Sequence, residues 1–291
     1  MRTEVTIQGL HAALTPVRAA RKSIGFVATM GNLHAGHLKL VQEASQRCDV
    51  VVVSIFVNPT QFGAGEDFSS YPRTFEADSN LLAEARCDIL FAPSVAEIYG
   101  DQPQQTTVQV NSLANDLCGN SRPGHFTGVA TVVSKLFNIV KPDVALFGEK
   151  DYQQVAIIRH LARDLCFDID VIGVPTMRAE NGLALSSRNG YLSEEELTLA
   201  PAIYATMQSI QQQILATADP SKLNFAELAN QGRQTLASQN FVVDYVEIRN
   251  PDLSPADKNG MKWIILVAAK IGKTRLIDNL TVIRPVDVVE S

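Results

Sequence analysis

Two histidines early in the chain have the spacing of a phosphate-binding pair. His34 and His37 are separated by Ala35 and Gly36, and they follow an apolar run at residues 24–29 that is typical of a buried strand. On a helix, residues three apart point to the same side. The first turn of a helix exposes backbone N–H groups that attract anions, and glycine leaves room for a ligand. The pattern therefore predicts two imidazoles facing a bound phosphate.

A short pattern of this kind is not specific to phosphate sites. A single histidine at a helix start is usually a surface or capping residue, and a pair could bind a metal ion. Metal-binding pairs on helices more often have the i, i+4 spacing, and no cysteine or glutamate here completes a zinc pattern. The spacing of His34 and His37 alone leaves a phosphate site and a chance motif equally open.

Other polar groups follow predicted strands. The strongest strand pattern, at residues 49–57, ends at a loop over 58–65, and another strand at 143–147 is followed by Lys150. Ligands of open α/β sheets bind beyond the carboxyl ends of the strands, so these groups are expected beside the histidine helix. A lysine next to glycine at that edge can reach phosphate oxygens.

Gly63 and Gly65 resemble part of a dinucleotide-binding motif. The third glycine of that motif is missing, and the following Glu66 and Asp67 would repel a pyrophosphate. We therefore interpret these glycines as loop-forming residues.

Two further loops carry basic and hydroxyl groups. A polar segment at 101–125 ends with Arg122 and His125, and the spacing alone favours a solvated turn, although long loops are often functional. Residues 180–189 contain two adjacent serines followed by an arginine, whose donors could bind a triphosphate. The same residues could equally form an ordinary linker, which is the interpretation that the pattern alone favours.

The order of elements predicts two domains. Strands and helices alternate from the start to about residue 175, which indicates a parallel, doubly wound sheet. Later residues predict a smaller α+β domain, with helices at 193–216 and 224–239 followed by strands at 241–249, 262–271 and 274–282. Gly272 and Lys273 are predicted to form the hairpin turn between the last two strands.

Two helix starts carry capping signals. Thr74 precedes a helical stretch at 74–86 and is a candidate N-cap residue. Ser193 has Glu196 three residues later, which is the pattern of a capping box. A third helix is predicted at 127–140.

Composition excludes several classes of protein. A chain of 291 residues with 46% hydrophobic content can bury a large core, and a net charge of −6 argues against a general nucleic-acid binder. It leaves nucleotide binding open, because a local cluster of cations can override the net sign. The four cysteines are scattered, there is no apolar run long enough for a membrane span, and no signal-peptide pattern is present. These features predict a cytoplasmic protein.

Several longer strings occur together in the chain. They are MGNLHAGH at 30–37, SIFVNPTQF at 54–62, YPRT at 71–74, RPGHFTG at 122–128, FGEKDYQQ at 147–154 and SSRN at 186–189. In order and spacing they resemble the pantothenate synthetase (pantoate–β-alanine ligase) family of the HIGH-motif nucleotidyltransferase superfamily, essentially from end to end. The resemblance implies a Rossmann-like domain at 1–176 that binds ATP and pantoate, and an α+β lid domain at 177–291.

The resemblance also implies the reaction. The family condenses pantoate with β-alanine, using ATP and Mg²⁺ and releasing AMP and pyrophosphate, through a pantoyl-adenylate. It implies small-molecule substrates, no nucleic acid or membrane partner, and a homodimer. The intermediate must be kept from water, which suits a mobile flap formed by the second domain and the 185–188 loop.

Individual residues are carried over on the matching strings. The implied ATP-binding residues are Met30, Gly31, Asn32, Leu33, His34, Ala35, Gly36, His37, Gly148, Glu149, Lys150, Asp151, Met177, Leu185, Ser186, Ser187 and Arg188. The implied catalytic residues are His34, His37, Lys150 and Arg188, with His37 as the proton donor.

The small substrates have their own implied residues. Gln61 would bind pantoate and β-alanine, and Gln154 would bind pantoate. The residues that lie in family motifs near the pocket without an individual role are Asn58, Asp78, Arg122 and His125. The resemblance assigns no residue to the metal.

Two positions depart from the family pattern. Leu185 replaces a methionine of similar volume, and Asn181 occupies a place often taken by aspartate, so little change is expected.

Two rival functions remain compatible with the sequence. One is a nucleotidyltransferase with a stable nucleotide product, which would not need two glutamines for small polar substrates, and the other is an ATP-binding module without turnover.

Overall fold

The computed structural model of the protein describes residues 1–63, 65–102, 104–111 and 113–285. The predicted loops 58–65 and 101–125 and the end of the predicted domain 177–291 therefore extend outside the described residues. The chain divides into two compact units. The first contains residues 1–149 and 153–176, and the second contains residues 150–152 together with the chain from Met177 onward.

The first unit is built on a six-stranded sheet in which every pair of neighbouring strands is parallel. The strands are β1 (Arg2–Glu4), β2 (Ile24–Thr29), β3 (Val50–Ile55), β4 (Ile89–Phe91), β5 (Val144–Gly148) and β6 (Asp170–Val174). Their order across the sheet is β1-β4-β3-β2-β5-β6. The predicted doubly wound parallel sheet is confirmed.

Helices connect these strands. They are α1 (Ile7–Ala19), α2 (Ala35–Arg47), α3 (Phe75–Glu84), α4 (Val95–Tyr99), α5 (Cys118–Ser121), α6 (His125–Val140) and α7 (Tyr152–Asp164). The central strands are apolar on both faces because helices cover the sheet, and Val51, Val52 and Val53 are at most 1% exposed. One core cluster joins β2 and β3 to α2 through Val27, Val41 and Val53.

Two predictions about this unit need correction, and one strand was not predicted. The first strand, β1, carries no signal in the sequence because its residues are mostly exposed and polar. Helix α6 begins at His125, two residues before the predicted start. Thr74 precedes α3 but does not cap it, because its hydroxyl donates to Asp78 Oδ2 at 3.1 Å instead.

The second unit contains a three-stranded antiparallel sheet in the order β7-β8-β9. Its strands are β7 (Val242–Arg249), β8 (Lys262–Ile271) and β9 (Thr274–Ile283), and its helices are α8 (Glu194–Leu199), α9 (Ala202–Ala216) and α10 (Phe225–Ala237). Ile271 pairs with Thr274 across the turn, which confirms the predicted hairpin. The core of this unit centres on Trp263, which is fully buried.

The helix predicted at 193–216 is two helices in the structure. Ser193 and Glu196 form the predicted capping box at the start of α8. The helix ends at Leu199, and α9 begins at Ala202 after Pro201. Proline has no N–H to donate to the preceding turn, so the hydrogen-bond ladder is interrupted there.

Within the described ranges, no helix is long and apolar enough to cross a membrane.

Candidate active site

The two histidines lie at the start of α2, but they occupy different capping positions. His34 is the N-cap residue with extended backbone, and the helix begins at Ala35. His34 Nδ1 accepts from the Gly36 N–H at 3.1 Å, and His37 Nδ1 accepts from the His34 N–H at 3.3 Å. The rings are 4.1 Å apart between centroids. The two imidazoles are therefore adjacent as predicted, although His34 is not on the helix itself.

This capping has two chemical consequences. The Nδ1 atom of each ring accepts a backbone hydrogen bond, so the ring proton of the neutral form is on Nε2, the atom suited to donate to a phosphate oxygen. A Cβ at Gly36 would lie 2.8 Å from His34 Cε1. The space that glycine provides is thus occupied by the His34 ring, and the expectation that Gly36 leaves a gap for a ligand is wrong.

Asp78 shapes the loop that leads into α2. Its carboxylate is buried and accepts from the N–H groups of Asn32 at 2.9 Å and Leu33 at 2.8 Å. Gly31 and Asn32 have left-handed backbone, with φ of 81° and 50°. A Cβ at Gly31 would lie 3.0 Å from Asp78 Oδ2. Asp78 therefore acts on the backbone that carries the histidines, which is a structural contact that the sequence did not specify.

Gln61 ends a short 3₁₀ turn, Pro59–Gln61, that follows β3. Its side-chain oxygen accepts from Asn58 Nδ2 at 3.1 Å, and its amide nitrogen lies 3.0 Å from Met30 Sδ. Asn58 is buried and accepts from the Tyr99 hydroxyl at 2.7 Å. Because β2 and β3 are neighbours, the structure brings Met30, Asn58 and Gln61 together at one edge of the sheet, as predicted.

Arg122 and His125 form a hydrogen-bonded network with the same turn. The His125 Nδ1 is 2.7 Å from the Gln61 carbonyl oxygen, and Arg122 Nη1 is 2.9 Å from His125 Nε2. Glu66 accepts from Arg122 Nε and Nη2 at 2.6 and 2.7 Å. The Arg122 guanidinium holds the pKa of Glu66 at about 2, well below its ordinary range. The solvated turn that residue spacing favoured for this segment is therefore wrong, because Arg122 and His125 are part of a hydrogen-bonded network.

Helix α6 packs against the Gln61 turn without any intervening side chain. A Cβ at Gly128 would lie 2.2 Å from the Thr60 carbonyl oxygen and 2.7 Å from the Gln61 nitrogen. The Gly128 carbonyl also accepts from Asn58 Nδ2 at 3.2 Å. The sequence did not identify Glu66 or Gly128 as part of the site. For Gly128, the available signal was its position at the end of the RPGHFTG string.

Two adjacent glutamines on α7 have different surroundings. Gln153 is buried, its amide nitrogen donates to the carbonyls of Leu113 and Asp116, both at 2.7 Å, and its oxygen accepts from the Cys118 N–H. Gln154 is half-buried, and its amide has no hydrogen-bond partner within the described ranges. Gln153 is therefore structural, while Gln154 is available to a ligand.

The end of β5 leads to the predicted lysine. Gly148 is the last residue of β5, and a Cβ there would have no atom within 4 Å, so its backbone is open. Glu149 follows it in the first unit. Lys150 and Asp151 belong to the second unit, where the Lys150 carbonyl accepts from Asn279 Nδ2 at 3.0 Å. Lys150 Nζ is 3.8 Å from Asp151 Oδ2.

Residues 177–189 form a tight hairpin within the second unit. The Leu185 N–H donates to the Met177 carbonyl at 2.9 Å, and Arg178 pairs with Ala184. Ser186 caps a 3₁₀ turn, Ser187–Tyr191, that contains Arg188. The predicted residues 185–188 therefore lie on an ordered turn.

An ion pair anchors this hairpin to β9. Arg178 donates to both oxygens of Asp278, at 2.5 and 2.9 Å, and its guanidinium carbon lies 3.8 Å from the centre of the Tyr204 ring. Asp278 is 5% exposed. The same strand carries Asn279, so β9 holds both the 177–189 hairpin and the carbonyl of Lys150. Neither residue of β9 was singled out in the sequence.

Two of the four cysteines, Cys48 and Cys87, are unsuited to nucleophilic chemistry. All four are free thiols. Burial raises the pKa of Cys87 to about 12 and also raises the pKa of Cys48, which keeps both protonated near neutral pH.

Metal-binding groups are dispersed in the part of the chain that the structure describes. No cluster of three or more histidine, cysteine, aspartate or glutamate side chains occurs there that could hold an ion.

The parallel sheet and the paired histidines at the start of the helix after β2 are the arrangement expected of the HIGH-motif nucleotidyltransferase class. Comparison with known proteins narrows this class. The family model described as pantoate-beta-alanine ligase matches residues 2–281. The chain belongs to this family, and it is a ligase that joins pantoate to β-alanine to form pantothenate.

Similar sequences extend over the whole chain. The pantothenate synthetase of Acinetobacter baylyi is 57% identical over 282 residues, which cover 97% of this chain and 99% of that protein. The pantothenate synthetase of Pseudomonas fluorescens is 55% identical over 282 residues, covering 96% of this chain and 97% of that protein.

Solved structures agree with the fold. The pantothenate synthetase of Thermus thermophilus matches with a TM-score of 0.88 and 46% identity, covering 96% of this chain and 99% of the other. The pantoate-beta-alanine ligase of Francisella tularensis, solved in complex with beta-gamma ATP and β-alanine, matches with a TM-score of 0.76 and 38% identity, covering 96% and 97%.

Proposed function

We propose that this chain condenses pantoate with β-alanine in two steps, with ATP as the activating substrate and a pantoyl-adenylate as the intermediate. In the first step a carboxylate oxygen of pantoate attacks the α-phosphorus of ATP, and pyrophosphate leaves. In the second step the deprotonated amine of β-alanine attacks the acyl carbon, and AMP leaves. A free carboxylate is a poor acyl donor, whereas the mixed anhydride carries a good leaving group.

The observation that carries this proposal is the orientation of the two imidazoles. His34 and His37 use Nδ1 to cap α2, which leaves their protons on Nε2, the atom that would donate to a phosphate oxygen. Donors of this kind offset the negative charge that develops as pyrophosphate departs. The high thiol pKa values of Cys48 and Cys87 are consistent with a route that needs no protein nucleophile.

The proposed nucleotide contacts follow the family motifs. The ATP-binding residues are those of 30–37 and 148–151, together with Met177 and 185–188. His37 is the proton donor, and Lys150 and Arg188 offset phosphate charge. Support comes from the open backbone at Gly148, from the ordered turn that carries Arg188, and from the Francisella tularensis relative that was solved with a nucleotide.

The proposed contacts to the small substrates use uncharged amides. Gln61 binds pantoate and β-alanine, and Gln154 binds pantoate. A glutamine amide can donate to a carboxylate and accept from a hydroxyl without repelling either. The half-buried Gln154 amide supports this role. The amide of the neighbouring Gln153 could not take it, because its nitrogen already donates to two backbone carbonyls.

Mg²⁺ is proposed to arrive with ATP. The ion prefers oxygen ligands and usually binds substrate phosphates together with one or two carboxylates. The dispersed metal-binding groups of the described residues fit an ion held mainly by the nucleotide, so we assign no protein ligand. When bound, Mg²⁺ supplies positive charge next to the phosphates. A homodimer in the cytoplasm completes the proposal, and free thiols fit a reducing compartment.

Pyrophosphate exchange tests the two-step route. With pantoate and ATP but no β-alanine, we expect labelled pyrophosphate to enter ATP, and we expect no exchange when pantoate is omitted. An enzyme that makes a stable nucleotide product or only binds ATP would not show this pantoate dependence. If exchange strictly required β-alanine, a concerted route would replace the adenylate.

A further inference from the structure

Gln61 is held through its backbone as well as its side chain. Its carbonyl oxygen lies 2.7 Å from His125 Nδ1 and 3.4 Å from Arg122 Nη2. A carbonyl can only accept, so His125 carries its proton on Nδ1 and donates. His125 Nε2 then accepts from Arg122 Nη1 at 2.9 Å. The hydrogen bonds therefore run in one direction, from the guanidinium through the imidazole to the carbonyl.

Glu66 fixes the start of this chain of hydrogen bonds. Its two carboxylate oxygens accept from Arg122 Nε and Nη2, and Oε2 also accepts from the Gly63 N–H at 3.2 Å. A bidentate pair of this type restrains the guanidinium plane as well as its position. Every nitrogen of the Arg122 guanidinium is engaged in these contacts, to Glu66, to His125 or to the Gln61 carbonyl.

We propose that Glu66, Arg122 and His125 are positioning residues that hold the Gln61 amide in the geometry needed to bind pantoate and β-alanine. The proposal rests on the proposed function, in which Gln61 is the residue that contacts these substrates. It assigns a role to Glu66, and it makes Arg122 and His125 act through Gln61 rather than on the substrate. A displacement of a binding group by about 1 Å is enough to reduce activity substantially.

A double-mutant cycle between Glu66 and Gln61 tests the proposal. Glu66→Gln keeps the shape of the side chain, but it replaces one acceptor of Arg122 with a donor. We expect kcat/KM for pantoate and for β-alanine to fall roughly fivefold to thirtyfold, a change that corresponds to the loss of one charge-assisted interaction. The KM for ATP should stay within about twofold, because the ATP contacts are elsewhere in the motifs.

The same substitution should have little effect when Gln61 is already alanine. If Glu66 acts only through Gln61, the double variant has the kinetics of Gln61→Ala. Equal proportional losses in both backgrounds would overturn the positioning role. Unchanged kinetics in Gln61→Ala alone would instead overturn the proposed role of Gln61, so the two failures are distinguishable.

Two further variants separate positioning from general stability. Glu66→Asp keeps the charge and should recover part of the loss, and it replaces Glu66→Gln in the cycle if the latter fails to fold. Glu43→Gln is the matched control, because Glu43 also forms ion pairs in the first unit, with Lys39 and Arg47, but it makes none with the Gln61 network. A control that lowered pantoate use as much as Glu66→Gln would overturn the proposal.

Discussion

The imidazoles of the histidine turn at residues 30–37 and the Gln61 carbonyl of the glutamine turn at residues 58–63 are held by different kinds of contact. The imidazoles of His34 and His37 are fixed mainly by hydrogen bonds within three residues along the chain. Gln61 is held by Arg122 and His125, which are 61 and 64 residues away. Local hydrogen bonds can therefore specify the geometry of the two imidazoles, whereas the Gln61 carbonyl, like the Asn32 and Leu33 backbone held by Asp78, depends on the completed fold.

The largest expected effect comes from removing the His37 imidazole. His37→Ala and His37→Gln should each reduce adenylate formation by about a hundredfold to a thousandfold, because neither side chain can transfer the proton that the imidazole would donate. Only the alanine variant also loses the contact with the His34 N–H, at a cost of about 1 kcal/mol in the free energy of unfolding. Glutamine at the third helical position can still make it.

These two variants are compared by pantoate-dependent pyrophosphate exchange and by urea unfolding. The expected result is equal loss of exchange with unequal loss of stability. Parent-like exchange in His37→Gln would overturn the role of His37 as proton donor and leave it with the capping and hydrogen-bonding roles that glutamine can also perform.

A smaller effect is expected from crowding the glutamine turn. Gly128→Ala places a Cβ 2.2 Å from the Thr60 carbonyl oxygen, so the turn or helix α6 must shift. We expect a loss of about 1–3 kcal/mol in the free energy of unfolding, together with weaker use of pantoate. Urea unfolding and steady-state kinetics measure the two effects.

Gly63→Ala is the matched control for this substitution. It lies in the same turn, and the nearest atoms to its Cβ would be in Glu66 at an ordinary distance of 3.8 Å. Equal stability of the two alanine variants would contradict the close approach of α6 to Gln61, and the contrast between the two turns would weaken.

The smallest expected effect is a change in acid stability. The pKa of Glu66 is lowered to about 2 in the folded protein, from an ordinary value of 4.5. Between these values the unfolded chain binds more protons, so the contribution of the ion pair is present above about pH 4.5 and is lost as the pH falls towards about 2. The stability advantage of the parent over Glu66→Gln should shrink across this window.

Denaturant unfolding at about pH 6 and about pH 3 measures this difference. Each protein is compared with itself at the two pH values, so other acidic groups contribute equally to both. A constant difference between parent and variant would show that the Glu66–Arg122 pair does not stabilise the folded state.

The fold was predictable because its signals are local. Alternation of apolar strands and helices predicted the parallel sheet, and Ser193 with Glu196 predicted the start of α8. The capping prediction at Thr74 failed because its hydroxyl donates to the side chain of Asp78, in the same helix, instead of accepting from a backbone N–H of the first turn. The strand β1 was missed because its residues are polar and mostly exposed. It is held by backbone pairing with β4, which leaves no pattern in the sequence.

The candidate site was predictable only in part, because several of its contacts join residues that are far apart in the chain. The strings that resemble the family indicated which polar and charged residues bind the substrates or act in catalysis. The roles of these individual residues stay predictions. The strings did not separate Gln153, which holds three backbone groups, from Gln154, which holds none within the described ranges. Glu66 was read as an obstacle to phosphate, because its partner Arg122 is 56 residues away.

The hydrogen bond between Asn279 and the Lys150 carbonyl has a consequence for how the chain folds during its own synthesis, because 129 residues separate its two ends. A ribosome makes all six strands of the parallel sheet, through Val174, before it reaches β9. N-terminal regions generally fold first during translation. A nascent chain that stops short of β9 can thus complete the sheet while the segment around Lys150 still lacks its partner. Strand β9 thus finishes a piece of structure that was synthesised near the middle of the chain.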